Sequence, residues 1–339
     1  MPEGVETPAV HDRTRRRFLR SALASAVGVA AGRAFAAPLR NVYRWGSSSL
    51  GSSGYVIMEA FAQTANRHTA YRNSSLATAG TGENMYLIGE GKLEFAHSTS
   101  VDWTTALKGE SPYKRPVRSN QLFAYAVWQQ LPIVRADSGI RELSDLAGLR
   151  FSPSLPGSGT AAMYKVIMEA ANLDGRMRWR YGSWSEVYTA FRANQIDAVV
   201  GVLTNGRRSS GIQQLESTME IRAVTVPVPV LARARNRNPG ILEDRLGPDQ
   251  WAILGEDVPV PAMTGIVASS PDVTPEVGYE VTRAILDRAA EVRKLGSPLS
   301  GLDLKSAVRN LLPEAPVNAG AAQYFMEQGV WRNDLTIAA

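Results

Sequence analysis

The stretch Asn41-Val42-Tyr43-Arg44-Trp45-Gly46-Ser47-Ser48-Ser49-Leu50-Gly51-Ser52-Ser53-Gly54-Tyr55 carries the reading on which the fold turns. A β-type run over 41–45 meets a glycine- and serine-rich loop, and a helical stretch opens at Tyr55 and runs to 66. A strand that passes through such a loop straight into a helix is the unit of an α/β sheet, whose ligands bind beyond the strand carboxyl ends. Two further loops share this composition. Thr78-Ala79-Gly80-Thr81-Gly82-Glu83-Asn84 precedes a helix expected from Met85, and Pro156-Gly157-Ser158-Gly159-Thr160 precedes one expected from Ala161. A helix start leaves backbone N–H groups unpaired and partly positive, glycine lets a ligand approach closely, and hydroxyls donate further hydrogen bonds. Such loops can hold a carboxylate or phosphate without lysine or arginine. Taken singly, each is equally well read as a turn with a serine or threonine cap, and 46–54 as a flexible linker. None fits GxxxxGK[ST] or GxGxxG, so a nucleotide phosphate loop is not expected.

Working outward, strands are expected at 93–97, 122–128 with a continuation at 133–135 past Pro132, 149–152, 196–202 and 263–269. Helices are expected at 102–108, 160–172, 185–193, 211–219 and 275–295, and near 303–311 and 319–328, with a loop and short helix at 138–147. The segment 227–261, with Pro227, Pro229, Pro239, Pro248, Pro259 and Pro261, reads as an irregular connection between two bodies. No internal repeat stands at a fixed period.

The front of the chain is different in kind. Residues 12–20 read Asp-Arg-Thr-Arg-Arg-Arg-Phe-Leu-Arg, a weakly apolar run follows to Ala31, and Ala34-Phe35-Ala36 closes it. A basic region, a short apolar region and a small-x-small site make an export signal over 1–36, too short to span a membrane. Arg16 and Arg17 before Phe18 and Leu19 resemble the twin-arginine signal, which implies an extracytoplasmic or periplasmic location. The alternative is a disordered basic arm. Of the chain's formal charge of +5, this segment supplies +3, from six arginines against three acids. The remaining 303 residues thus lose most of the argument for a nucleic-acid partner, and none is expected. With 44% hydrophobic and 20% charged residues the composition is globular, sized for two domains or one large one. The absence of cysteine excludes disulfides, thiolate-bound metals and thiol nucleophiles, and His11, His68 and His97 are too few for a histidine-rich centre. No metal or cofactor is expected.

The motifs then accumulate in an order that resembles a family. Trp45-Gly46-Ser47-Ser48-Ser49, Ala77 to Asn84 with Ile88-Gly89-Glu90-Gly91, the run Ile140 to Arg150, Pro156 to Thr160, Gln195-Ile196-Asp197-Ala198, and Pro316 to Phe325 with Glu327-Gln328-Gly329-Val330-Trp331 are similar to the TAXI group of TRAP-transporter solute receptors. The resemblance implies an α/β, type II periplasmic-binding-protein-like fold: two α/β lobes joined by crossing strands with a ligand cleft between. Lobe 1 would comprise 37–130 plus 260–339, and lobe 2 would comprise 131–259. It implies capture of a small carboxylate, glutamate-like or another organic acid, by a monomer that delivers it to TRAP membrane subunits, without catalysis. The ligand-binding loops carried over are Gly46, Ser47, Ser48 and Ser49; Gly80, Thr81, Glu83 and Asn84; and Gly157, Ser158, Gly159 and Thr160. Tyr55 stands beside Gly54, where the family has a tyrosine; Thr99 and Ser100 stand where glutamine and aspartate are common; Asn318 replaces a frequent histidine.

Other candidates come from the residues themselves. Asn205, Arg207 and Arg208 follow a strand and could reach the cleft, with guanidinium groups suited to gripping a carboxylate, although a solvated pair is the simpler reading. His97 could meet a ligand or be a satisfied core histidine, and Glu83 could meet an ammonium group or merely cap its helix. Trp103, Trp128, Trp179 and Trp184 could wall a ligand or pack the lobes. Two competing functions remain open: an exported enzyme on a similar scaffold, for which no activated nucleophile is evident, and a ligand sensor for a membrane kinase.

Overall fold

The computed structural model describes residues 42–339; the expected leader 1–36 and its arginine pair lie outside the described residues. In chain order the elements are β1 (Val42–Gly46), α1 (Ser53–His68), β2 (Arg72–Leu76), α2 (Thr81–Gly89), β3 (Phe95–Thr99), α3 (Ser100–Lys108) and β4 (Asn120–Arg135). Then follow β5 (Arg150–Ser152), α4 (Gly159–Ala170), β6 (Arg178–Trp179), α5 (Trp184–Arg192), β7 (Ala198–Thr204), β8 (Arg207–Arg208), α6 (Ser210–Glu216), β9 (Ile221–Ala223), α7 (Val228–Arg237) and β10 (Leu242–Leu246). The chain closes with β11 (Val258–Ser269), α8 (Pro275–Leu286), α9 (Ala289–Val292), α10 (Leu304–Arg309) and α11 (Ala319–Glu327).

The sheet order is β2-β1-β3-β11-β4-β7-β5-β6. Its outer strands are parallel within each half, β1 with β2 and β3, and β5 with β6 and β7. The central pair runs antiparallel to both halves, β11 against β3 and β4, and β4 against β7. These two long strands cross from one half to the other. The change-overs expected after 130 and after 259 fall inside β4 and β11. The described residues, 42–339, belong to one compact unit.

Each half is fastened by the same clasp. In the first, Arg44 on β1 donates its backbone N–H and its guanidinium to Glu94, at 2.8, 3.0 and 2.7 Å, and reaches the Gly91 carbonyl. In the second, Arg150 on β5 makes the corresponding bonds to Asp197 at 2.8, 2.9 and 2.6 Å and reaches the Asn194 carbonyl. Asp197 is held below the usual carboxylate range by Arg150. A repeat invisible as a sequence period is thus present as paired chemistry, because a bidentate arginine needs only one acid at the neighbouring strand's entry.

Several expectations are corrected. The segment 227–261 is no irregular connection: it contains α7, β10 and the start of β11. Pro229 stands within the first two positions of α7, where a missing N–H costs nothing. Pro259 and Pro261 are two apart on β11, so both lack an N–H on the same edge, while β10 pairs with this stretch throughout. Pro132 likewise lies within one continuous β4. The helix expected over 275–295 ends at Leu286, where Asp287 is engaged by Tyr324 Oη at 2.7 Å and Arg283 Nε at 3.3 Å. The helices expected from Met85 and Ala161 begin earlier, at Thr81 and Gly159, after Gly80 and Ser158 as caps. The polar β2 was not expected at all; it pairs with β1 at the sheet edge.

Candidate functional site

A cavity of about 420 Å³ opens on the crossing strands. Its floor is a patch of sheet: His97 from β3, Trp128 and Gln130 from β4, Val202 from β7 and Met263 from β11. Trp128 and Gln130 are two apart and share a face, with Met263 and Val202 as their cross-strand partners. The walls are helix starts. Ser52, Ser53 and Gly54 open α1; Gly80 and Thr81 open α2; Ser158, Gly159 and Thr160 open α4; Trp184 and Ser185 open α5; Ser209, Ser210 and Gly211 open the shorter α6. First-turn N–H groups and dipole ends therefore point at one space from both halves.

The side chains add to this field. Arg192, on the same α5 face as Trp184 and Tyr188, brings a formal positive charge to the lining, and among the described residues no aspartate or glutamate is part of it. His97 is buried and bonded through Nδ1 to Tyr125 Oη; burial pushes its pKa down to about 3, so it is neutral. The sign of the consequence is fixed: between pH 3 and the ordinary value of 6.5 the unfolded chain binds the extra proton, so stability falls as pH falls. We expect His97→Gln to flatten the loss of thermal stability between pH 6.5 and 4 by up to about 1.4 kcal/mol per pH unit. Melting curves across that range check it, and an unchanged slope contradicts it.

Asp102 lies behind this wall. It is buried, accepts from Thr81 Oγ1 and from Thr99 Oγ1 at 2.6 Å, and is covered by Gly159 at the α4 start, where a Cβ would come within 2.9 Å of its Oδ2. Burial pushes its pKa up. The two threonine hydroxyls spend their protons on Asp102, and Thr99 Oγ1 in turn accepts from the Asp102 N–H at 3.3 Å as the cap of α3.

The structure brings Ser48, Gly80, Thr81, Thr99, Ser158, Gly159 and Thr160 of the sequence candidates to the cavity. It places the others elsewhere. Asn84 is fully buried and gives its amide protons to the carbonyls of Gly46, Ser47 and His97 at 3.2, 2.7 and 2.8 Å, which pins the first loop and leaves no room for a Cβ at Gly46. Ser47 donates to the Leu76 carbonyl at 2.7 Å, and Ser49 accepts from the Ser52 N–H. Tyr55 sits in the first turn of α1, and its N–H is capped by Ser52. Glu83 accepts from the Ala79 N–H at 2.6 Å, so it shapes its own loop. Gly157 offers its carbonyl to Gly82 N–H at 3.0 Å, a bond between the second and third loops. Ser100 donates to the Gly240 carbonyl and accepts from Thr264 N–H. Asn205 pairs with the backbone of Val127 and, with Arg207 and Arg208, lines a separate cavity. Of the four tryptophans, Trp128 and Trp184 line the site; Trp103 is buried and Trp179 packs on Phe151. Asn318 caps α11.

Sequence reasoning placed Ser52 to Gly54 in the first ligand-holding loop without singling them out, and it missed Gln130, Tyr188, Arg192 and the α6 start. The spacing of Trp184, Tyr188 and Arg192 at i, i+4 and i+8 was a usable signal, since it puts all three on one helix face. Nothing local marks Gln130. Among the described residues no group of three or more His, Cys, Asp or Glu side chains is placed to hold a metal ion.

Comparison with known proteins agrees with this architecture. The family described as NMT1-like matches residues 46–329. Among solved structures, a protein from Bordetella bronchiseptica RB50 superposes with a TM-score of 0.51 at 16% identity, over 87% of this chain and 91% of that one. The binding protein component of an ABC phosphonate transporter from Pseudomonas aeruginosa reaches 0.49 at 16% identity, over 76% and 78%. A putative L-cystine ABC transporter from Listeria monocytogenes reaches 0.49 at 15%, over 77% and 97%. The chain's own topology has the features expected of the type II fold, α/β with two lobes on crossing strands and a cleft between them.

Proposed function

The chain belongs to the NMT1-like family, and on that premise we propose that it is an extracytoplasmic solute-binding receptor that captures a small organic anion for a membrane transporter. The observation that carries this is the convergence of five helix starts and Arg192 on one cavity whose lining, among the described residues, holds no acidic residue. Helix N-termini favour anions by about 0.3–1 kcal/mol each at the surface and more when partly buried. A carboxylate is the anion that the TAXI-like motifs favour, and TRAP membrane subunits are the partner they imply. Export by way of Arg16 and Arg17 completes the reading. The receptor works by binding alone: the lobes hinge at β4 and β11, and contacts made to the ligand by both lobes at once draw them together.

The test is a thermal-shift screen of carboxylates on the purified protein. A ligand that binds only the folded state at a hundred times its Kd stabilises it by about 2.7 kcal/mol. For a chain of this length that amounts to about 5 °C. A panel of mono-, di- and tricarboxylates that leaves the melting temperature unmoved removes the carboxylate-receptor reading. Crosslinking the receptor in membranes is expected to capture TRAP subunits; capture of an ABC permease in their place would replace the partner.

A further inference from the structure

Three features of the cavity narrow its ligand. The first is that, among the described residues, no acidic side chain faces the cavity to meet an ammonium group. Glu83, the acid nearest the second loop, is spent on the Ala79 N–H, and Asp102 is walled off by Thr81, Thr99 and Gly159. An amino acid would bring its positive charge into a field set by Arg192 and helix starts.

The second is the apolar surface. Trp128, Trp184, Tyr188, Val202 and Met263 all face the cavity. The Trp184 and Tyr188 rings stand 5.5 Å apart at 36°, and Trp128 is fixed by donation to Ser53 Oγ at 3.1 Å. A short aliphatic dicarboxylate has little with which to cover three aromatic rings, whereas a flat ring stacks on them.

The third is Gln130. Its side chain is fully buried, and neither Nε2 nor Oε1 has a hydrogen-bond partner among the described residues. A buried amide left without partners is destabilising until something supplies them. It lies beside Trp128 on the cavity floor, a donor and an acceptor offered together. A hydroxyl group answers both.

Resting on the receptor reading, we propose that the ligand is an aromatic carboxylate that bears a ring hydroxyl and lacks an ammonium group, and that Gln130 is the residue that reads the hydroxyl. The carboxylate lies toward Arg192 and the helix starts, the ring against the tryptophans, and the hydroxyl at Gln130.

Calorimetric titration of the purified protein with 4-hydroxybenzoate, benzoate and L-glutamate tests this, together with the variant Gln130→Met. The expected order is 4-hydroxybenzoate first, benzoate at least tenfold weaker, and L-glutamate at least a hundredfold weaker. In Gln130→Met the ratio between the two aryl acids falls to about one, and the unliganded variant melts at the wild-type temperature or above, since an unpaired buried amide has been removed. Binding of L-glutamate in preference to both aryl acids overturns the proposal and leaves the receptor reading standing. A preserved preference for 4-hydroxybenzoate in Gln130→Met, or a lowered melting temperature, overturns the role of Gln130. If no carboxylate binds at all, both readings fall together.

Discussion

Gly80→Val is expected to weaken ligand binding a hundredfold or more and, separately, to lower the melting temperature of the unliganded protein by about a few degrees through backbone strain. Gly80 caps α2 at φ 140°, ψ −159°, a conformation open essentially to glycine alone. A Cβ there would stand 3.1 Å from both the Gly157 carbonyl oxygen and Ser158 Cα. The contact joins the two lobes, because Gly80 leads into α2 beside β3 and Gly157 leads into α4 behind β5. Gly82 N–H bonds to the Gly157 carbonyl at the same place. A side chain at 80 therefore costs about 1–3 kcal/mol of backbone strain and separates the loops that must meet around a ligand. In the open form that second cost disappears, so the penalty falls on the closed, binding-competent population. Gly91→Asn is the control: it also has positive φ, but open space surrounds it, and wild-type affinity is expected. Calorimetry with the ligand found by thermal shift reads both variants. Wild-type affinity in Gly80→Val would show that the loops do not close on the ligand.

Arg192→Gln is expected to cost ten- to a hundredfold in affinity and to make binding less sensitive to salt. A hydrogen bond to a charged group contributes about 1.5–3 kcal/mol. Arg192 is half-buried, and its Nη2 is steadied by Thr189 Oγ1 at 3.1 Å, one turn back on α5. Arg192→Lys should restore part of the loss, since it returns the charge without the planar fork. A titration series from 20 to 300 mM salt separates charge from packing. Equal losses in the Gln and Lys variants would mean that geometry rather than charge is what Arg192 supplies.

Much of the architecture was legible because it is written locally. The strand, loop and helix order from Asn41 to Tyr55 needs no tertiary knowledge, and the loops at 78–84 and 156–160 repeat it. What the loops do was less legible. Asn84, Ser47, Ser100 and Asn205 look from sequence like ligand donors, yet each commits a side-chain polar atom to the backbone of another element. Those partners lie up to 140 residues away, and no local pattern announces them. The prolines of 227–261 misled for a different reason. Position decides their effect, and Pro229 at a helix start and Pro259 and Pro261 on a strand edge occupy the places where proline is harmless. Arg192 lay within reach of helical spacing, whereas Gln130 became visible only when its amide was found buried without a partner.

The central claim is that an organic anion sits where the helix starts of both lobes converge. A crystal structure of the protein with the carboxylate that most raises its melting temperature tests this directly. The account predicts that carboxylate within hydrogen-bond reach of Arg192 and of first-turn N–H groups at Ser53, Gly54, Gly159 or Thr160, with its body against Trp128 and Trp184. A ligand found in the separate cavity by Asn205, Arg207 and Arg208, or held away from all of these helix starts, would contradict it.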